Sequence, residues 1–197
     1  MFAELLKHWL KGCMELSSEQ VAALEAHYHL LVQWNRTVNL TSIYDEKEVV
    51  ERHYCESLFL GSFLPRSACR VADIGSGAGF PGFPVAILRP DCQVTLVESH
   101  QRKAVFLREC TRHLKNVRVR AERAEDLDSE FDWAISRAIS YEDLTTILKK
   151  LAPNAELLTG AEEPLAEVGF DWRRPIPLPW GKQRFLRIGS VSRETAT

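Results

Sequence analysis

The run Val71-Ala72-Asp73-Ile74-Gly75-Ser76-Gly77-Ala78-Gly79-Phe80-Pro81-Gly82 holds the residue types in this chain best suited to chemistry. An apolar segment reaches an aspartate, enters a glycine-dense turn and leaves through a proline at a helix start. Glycine adopts backbone angles that side chains forbid and lets a ligand approach the main chain closely. Such a turn at the end of a parallel strand seats a nucleotide-like ligand. Gly77, Gly79 and Gly82 fit the dinucleotide pattern G-x-G-x-x-G. Asp73 argues against a dinucleotide, because a carboxylate about 5 Å from a pyrophosphate charge costs roughly 3 kcal/mol at an effective dielectric of 20. S-adenosylmethionine (SAM) has no phosphate and carries a sulfonium and an ammonium group, which a carboxylate favours. D-x-G-x-G-x-G, through Asp73, Gly75, Gly77 and Gly79, therefore predicts SAM rather than NAD. Glu98 ends the next strand-like run, Val94-Thr95-Leu96-Val97-Glu98, where an acid accepts hydrogen bonds from ribose hydroxyls. NAD enzymes use the same device, so Glu98 supports adenosine without choosing between the two.

These residues need a scaffold, and the chain's texture supplies one in two parts. Residues 1–65 read as helical. Phe2, Leu5, Leu6, Trp9 and Leu10 fall at helical spacing. Ser17 and Gln20 form a capping box for a second helix with Val21, Leu24, Tyr28 and Leu31 on one face. A third helix follows Asp45 and Glu48 and runs through His53 to about Leu60, ended by Gly61 and Pro65. From residue 66 onward short β-rich runs alternate with helical ones. Strands are expected at Cys69 to Ile74, Cys92 to Glu98, Asn116 to Arg120, Phe131 to Ser136 and Ala155 to Thr159. Helices are expected at Phe83 to Leu88, Gln101 to His113 and Tyr141 to Leu151. The alternation implies an α/β fold with a mostly parallel sheet and helices on both faces. Pro175 to Ser190 reads as an antiparallel hairpin around Trp180-Gly181 that closes the sheet edge; Glu162, Glu163 and Pro164 start a short helix or a loop.

Composition narrows the class. A chain of 197 residues, 45% hydrophobic and 26% charged, suits a single soluble domain over residues 1–197. The formal net charge of −2 gives no global signature for nucleic acid, so RNA binding must come from a local patch. Between Arg102 and Arg123, Arg102, Lys103, Arg108, Arg112, Lys115, Arg118, Arg120 and Arg123 are offset only by Glu109 and Glu122. Such a stretch binds phosphates or is simply a solvated face. Trp34 and Tyr44 are candidates for stacking on bases, with core packing favoured for Trp34. The five cysteines are scattered and form no C-x-x-C, which argues against disulfides and zinc and suits a reducing cytoplasm. No apolar run approaches the ~20 residues that span a bilayer, and Met1 to Gly12 lacks a signal-peptide core.

With the pieces placed, the chain resembles the RsmG family, also called GidB. The matching blocks are Trp34-Asn35 with Asn39-Leu40-Thr41; His53 with Ser57-Leu58; Asp73 through Gly82; Leu96-Val97-Glu98-Ser99 with Arg102-Lys103 and Phe106-Leu107; Arg123-Ala124-Glu125; and Phe131-Asp132 with Ser136-Arg137-Ala138. Their order and spacing are specific across roughly residues 20 to 160. Three features depart from the family pattern: Glu56 stands where an aspartate is usual, Thr159 where a lysine is frequent, and the tail after Gly160 is short.

The resemblance implies a Rossmann-like SAM-dependent methyltransferase that methylates guanine N7 at position 527 of bacterial 16S ribosomal RNA. It implies a monomeric, cytoplasmic enzyme whose partner is 16S rRNA or the small ribosomal subunit, with no metal and no membrane. It makes Gly75 a point of backbone access to SAM, Phe80 a ring packed beside it, and Ala124 and Glu125 the adenine contacts after the third strand. Arg137 becomes a ligand contact near the methyl donor, pairing with the SAM carboxylate or with guanine O6; the plainer alternative is a salt bridge to Glu125 or Asp73. Guanine N7 carries a free lone pair and needs no general base, so His53 reads as a packing or helix-anchoring residue. The competing readings are a SAM methyltransferase of another substrate class, an NAD-type oxidoreductase and a non-catalytic rRNA-binding factor.

Overall fold

The computed structural model describes residues 1–128, 130–137, 141–160 and 170–191. The element expected at Glu162 to Pro164 lies outside them, as does Ala138. The strands are β1 (Arg70–Ile74), β2 (Gln93–Val97), β3 (Val117–Arg120), β4 (Trp133–Arg137), β5 (Asn154–Thr159), β6 (Phe170–Trp172), β7 (Ile176–Pro177) and β8 (Phe185–Val191). They form one sheet in the order β3-β2-β1-β4-β5-β8-β6, with β7 also paired to β8. The first five are parallel, and β8 runs antiparallel to β5, β6 and β7. The expected hairpin is therefore present as β7 and β8, but β8 does not close the edge. It lies between β5 and β6, and three-residue β6 was too short to read from pattern.

Seven α-helices accompany the sheet among the described residues: α1 (Phe2–Leu10), α2 (Ser18–Trp34), α3 (Glu46–Val49), α4 (Glu56–Gly61), α5 (Gly82–Leu88), α6 (Gln101–Thr111) and α7 (Tyr141–Leu151). The capping box that starts α2 is complete: the Gln20 N–H donates to Ser17 Oγ at 3.2 Å, and the Ser17 N–H to Gln20 Oε1 at 2.9 Å. The Asp45 carboxylate caps α3 by accepting the Glu48 N–H at 2.9 Å. The expected third helix is not uniform. Between α3 and α4, Val50–Cys55 form a π-helical turn, a widening often found at functional sites.

Alternation along β1 divides the core. Val71 packs into one apolar cluster, while Ala72 and Ile74 pack into the other. The first cluster joins α5 and α6 to the N-terminal helices through Phe2, Leu24, Tyr54, Phe83 and Phe106. It also takes in Leu158, Leu186 and Ile188, so the helical segment covers β5 and β8. The second cluster sets Leu148 and Leu151 of α7 against Ala134, Ala155 and Leu157.

Register places Leu96, Asp73, Ile135, Glu156 and Ile188 in one row across the sheet. Two acids thus sit in an apolar row, both 0% exposed. Burial pushes Asp73 up to about 7 and Glu156 up to about 8. Neither oxygen of Glu156 has a hydrogen-bond partner among the described residues. An acid with a raised pKa binds its proton more tightly folded than unfolded. Its contribution is complete below the unfolded value near 4.5 and is lost as the pH rises through about 8. Glu156→Met, which keeps volume and removes the charge, is expected to raise stability by ~2 kcal/mol or more at pH 8 and by clearly less at pH 5. Urea unfolding at the two pH values measures this; an equal gain at both, or a loss at pH 8, refutes it.

Candidate functional site

In the order β3-β2-β1-β4-β5 the chain reverses its direction of winding between β1 and β4. The carboxyl ends of the strands at such a reversal are the general ligand position in open α/β sheets. The Ser136 hydroxyl donates to the Ile74 carbonyl at 2.8 Å and ties the tips of β4 and β1 together. The glycine turn leaves β1 at this point. Its first two N–H groups, of Gly75 and Ser76, both reach the Val97 carbonyl at 3.0 Å, which hangs the turn from the end of β2. Gly77 and Gly79 have φ of +56° and +92°, so the turn depends on glycine there. Gly75 is exposed and Gly77 half-buried, leaving backbone open to a ligand.

The two strand-tip acids do something other than face a ligand freely. Asp73 Oδ2 accepts the Gly82 N–H at 2.9 Å, at the first residue of α5. A Cβ on Gly82 would lie 2.6 Å from that oxygen and 2.4 Å from Leu96 Cδ2, so glycine is required for this approach. Asp73 Oδ1 is buried without a partner. The carboxylate lies beneath the turn because Asp73 shares a face of β1 with Val71, which packs into the first cluster. Glu98 Oε2 accepts the Gly77 N–H at 2.9 Å, and Oε1 accepts the His100 N–H at 2.7 Å. A carboxylate offers about four acceptor sites, so Glu98 keeps capacity for ribose hydroxyls. Both acids occupy backbone donors that a pyrophosphate would need. The residues therefore fit SAM, with its cationic groups and lack of phosphate, better than a dinucleotide.

The N-terminal helices grip the turn from behind. The Tyr54 hydroxyl donates to His27 Nδ1 at 2.7 Å, and His27 Nε2–H donates to the Ala78 carbonyl at 3.1 Å, the tautomer a carbonyl acceptor demands. Burial holds His27 down at about 3, hence neutral. His53 Nε2 pairs with Thr41 Oγ1 at 2.8 Å, and its ring stacks on Phe80 at 4.7 Å. Burial first, then Arg137, Arg52 and Arg184, depress His53 to about 2. The two contacts tie the π-helical turn to residue 41 on one side and to the glycine turn on the other. The Phe80 ring is 7% exposed and packed against His53, Tyr54 and His27, so it braces the turn from the helical side.

Ala124 and Glu125 form a short 3₁₀ turn after β3. Ala124 is buried, the Glu125 side chain is exposed, and the Glu125 carbonyl accepts from Lys150 Nζ at 2.6 Å. Arg137 is the last residue of β4 rather than a residue after it. Its Nη1 donates to the Arg52 carbonyl in the π-helical turn at 2.5 Å; neither salt bridge entertained for it is present among the described residues. Three contributors were given no role at the site from sequence: His27, Glu56 and Arg184. Two of them left a signal, His27 by falling on the same helical stripe as Leu24 and Leu31, and Glu56 by standing where the family usually has an aspartate.

The basic stretch lies on the surface, where Arg102, Arg108, Arg112, Lys115, Arg118, Arg120 and Arg123 are exposed. Arg120 pairs with Glu122. Trp34 packs edge-on against Phe106 at 5.8 Å, in keeping with a core role. Tyr44 is 75% exposed on the rim of an apolar cavity of about 200 Å³ between α2 and residues 41–49. Among the described residues no histidine, cysteine and carboxylate group is arranged to hold a metal, and no helix is long and apolar enough to cross a membrane.

Known proteins resemble this arrangement at two levels. A Xylella fastidiosa (strain 9a5c) protein named ribosomal RNA small subunit methyltransferase G is 47% identical over 134 residues, covering 67% of this chain and 58% of that protein. A Xanthomonas campestris pv. campestris (strain B100) protein of the same name is 40% identical over 181 residues, covering 89% of this chain and 80% of that protein. The chain therefore spans less than two thirds of the Xylella relative and four fifths of the Xanthomonas one. The crystal structure of a SAM-dependent methyltransferase from Aquifex aeolicus superposes with a TM-score of 0.59 at 16% identity, over 74% of this chain and 93% of that one, a likeness of fold. Residues 20–162 match the family described as GidB, rRNA small subunit methyltransferase G, and the chain belongs to that family.

Proposed function

We propose that residues 1–197 work as one SAM-dependent methyltransferase domain that methylates N7 of guanine 527 in 16S ribosomal RNA. One observation carries the cofactor half of this reading. At the β1/β4 reversal, Asp73 and Glu98 already hold the Gly82 and Gly77 N–H groups, which suits a phosphate-free cationic ligand. The substrate half is supported by family membership and by the exposed cations from Arg102 to Arg123. The site of action is the cytoplasm, on rRNA or the small subunit, as a monomer.

When bound, SAM supplies an electrophilic methyl group on a sulfonium. The chain's own task is alignment, since guanine N7 has a lone pair and no proton to remove. Orientation of reacting groups can lower a barrier by roughly 7–11 kcal/mol. Gly75 and Gly77 offer backbone to the donor, Glu98 retains acceptor sites for its ribose, and Ala124 and Glu125 flank the adenine end. Arg137, a cation at the tip of β4, pairs with the donor's carboxylate or with guanine O6 and leaves N7 free. His53, neutral and stacked on Phe80, takes no proton.

Calorimetry is expected to give SAM binding and none of NAD; tight NAD binding without SAM binding overturns the cofactor assignment. In a deletion strain, mass spectrometry of 16S rRNA should find 7-methylguanosine missing at position 527, restored by the wild-type chain. Retention of the mark in the deletion strain ends the substrate assignment, and SAM-independent RNA binding with no methyl transfer favours a non-catalytic factor. Arg137→Ala is expected to cut turnover or SAM affinity at least tenfold. His53→Ala should lower thermal stability while leaving the folded enzyme's turnover near that of the parent. The opposite ranking of these two variants contradicts the roles given.

A further inference from the structure

Arg137 is held in an unusual way for a cation at a ligand position. Among the described residues its one hydrogen bond is to a backbone carbonyl, that of Arg52, inside the π-helical turn. A guanidinium has five N–H donors, so most of its fork is left for a ligand. Its charge is opposed by burial and by two neighbouring arginines, Arg184 and Arg52, and is supported chiefly by Glu56, with Asp73 weaker. Glu56 itself is 0% exposed.

Glu56 does not bond to Arg137. It is gripped at two points by Arg184, with Nε 2.6 Å from Oε1 and Nη2 donating to Oε2 at 2.7 Å. Arg184 stands in the turn between β7 and β8. That turn is fastened a second time, where Trp180 Nε1 donates to the Trp9 carbonyl of α1 at 2.8 Å. The C-terminal hairpin thus reaches over α4 and fixes one carboxylate next to the π-helical turn. Fold stability alone is a poor reason for this pair. Desolvating two charges offsets most of their attraction, and an apolar pair of similar volume commonly holds a structure as well or better. What an apolar pair cannot provide is a fixed negative charge beside Arg137.

We propose that Glu56, locked by Arg184, is a positioning residue for Arg137: the C-terminal hairpin sets a buried carboxylate that holds the Arg137 guanidinium docked on the Arg52 carbonyl, its remaining donors aimed at the ligand. The inference rests on Arg137 belonging to the methyl-transfer site. It gives residues 176–191 a part in the reaction without contact with substrate. Arg52 and Arg184 act on Arg137 with the opposite sign, so loss of the carboxylate leaves three cations crowded around one helical turn.

A double-mutant cycle with the full-length chain, SAM and undermethylated small subunits tests this. Arg137→Ala first identifies the affected parameter, turnover or SAM affinity. Glu56→Gln is expected to change that parameter about tenfold in the parent background and less than twofold in the Arg137→Ala background. The paired variant Glu56→Gln/Arg184→Met removes both charges; it should recover the parent's thermal midpoint but not its activity. Equal losses in both backgrounds, or activity restored together with stability in the paired variant, overturns the proposal. A second readout needs neither RNA nor turnover. In ¹⁵N-labelled protein the Arg137 guanidinium N–H signals, identified by their loss in Arg137→Lys, should be protected from exchange in the parent and unprotected in the folded paired variant. Unchanged protection there also overturns the proposal. A parent chain that fails to methylate rRNA refutes the functional reading instead, and the exchange experiment still decides whether Glu56 positions Arg137.

Discussion

A single buried hydrogen bond, from the Gly82 N–H to Asp73 Oδ2, sets the geometry on which the rest of the site depends. It joins the tip of β1 to the first turn of α5 and so fixes both ends of the glycine turn. The bond demands that residue 82 lack a Cβ and that residue 73 be short and acidic. Asp73 is fully enclosed with Oδ1 unpartnered, and its pKa stands near 7. A buried acid so close to neutrality is sensitive to charge brought nearby, and a cationic ligand over the turn favours its ionised form.

The N-terminal helical segment completes what the sheet begins. The turn at residues 35–41 is organised by Asn35, whose side chain accepts the Leu40 and Thr41 N–H groups and donates to the Thr41 carbonyl. Thr41 then holds His53, and His53 stacks on Phe80. In parallel, Tyr54 holds His27, and His27 holds the Ala78 carbonyl. Two chains of contact thus run from surface turns and helices into the glycine turn. Each ends on a histidine kept neutral by burial, and a neutral imidazole can both donate and accept in a confined space. A charged residue at either position would carry a desolvation penalty that these histidines avoid.

Much of this was legible in the sequence because it is local. Glycine spacing, capping residues and period-two runs are properties of a few consecutive residues, and they located β1 to β5, α1, α2 and the turn. The chemistry of Asp73 was legible only in part. Its charge could be read, but its direction follows from sharing a face with Val71 beneath α5, which needs the packed sheet. The packing of Phe80 was hidden for the same reason: a ring at a helix start has several layers to turn toward, and here His27, His53 and Tyr54 pack against it. The Glu56–Arg184 pair joins residues 128 positions apart, so no local pattern announces it. The π-helical turn at Val50–Cys55 adds one residue to a helical repeat and leaves the apolar stripe almost unchanged, so periodicity read it as plain helix.

Glu156 shows what the fold tolerates when no use offsets a cost. It shares a sheet row and a face with Asp73, one strand beyond Ile135, and is equally enclosed. Asp73 has a backbone N–H to hold, while Glu156 has no hydrogen-bond partner among the described residues and its ionised form is favoured by the charge of Arg173. The difference follows from what lies above each. Over β1 the glycine turn brings the amide of Gly82 down to the sheet. Over β5, against which α4 packs, no donor among the described residues reaches Glu156. The same acid type in the same row is therefore structural at one strand and a burden at another, and the determinant is whether main chain descends close enough to meet it. Close descent requires glycine, which returns the argument to residue 82 and to the turn at the ligand position.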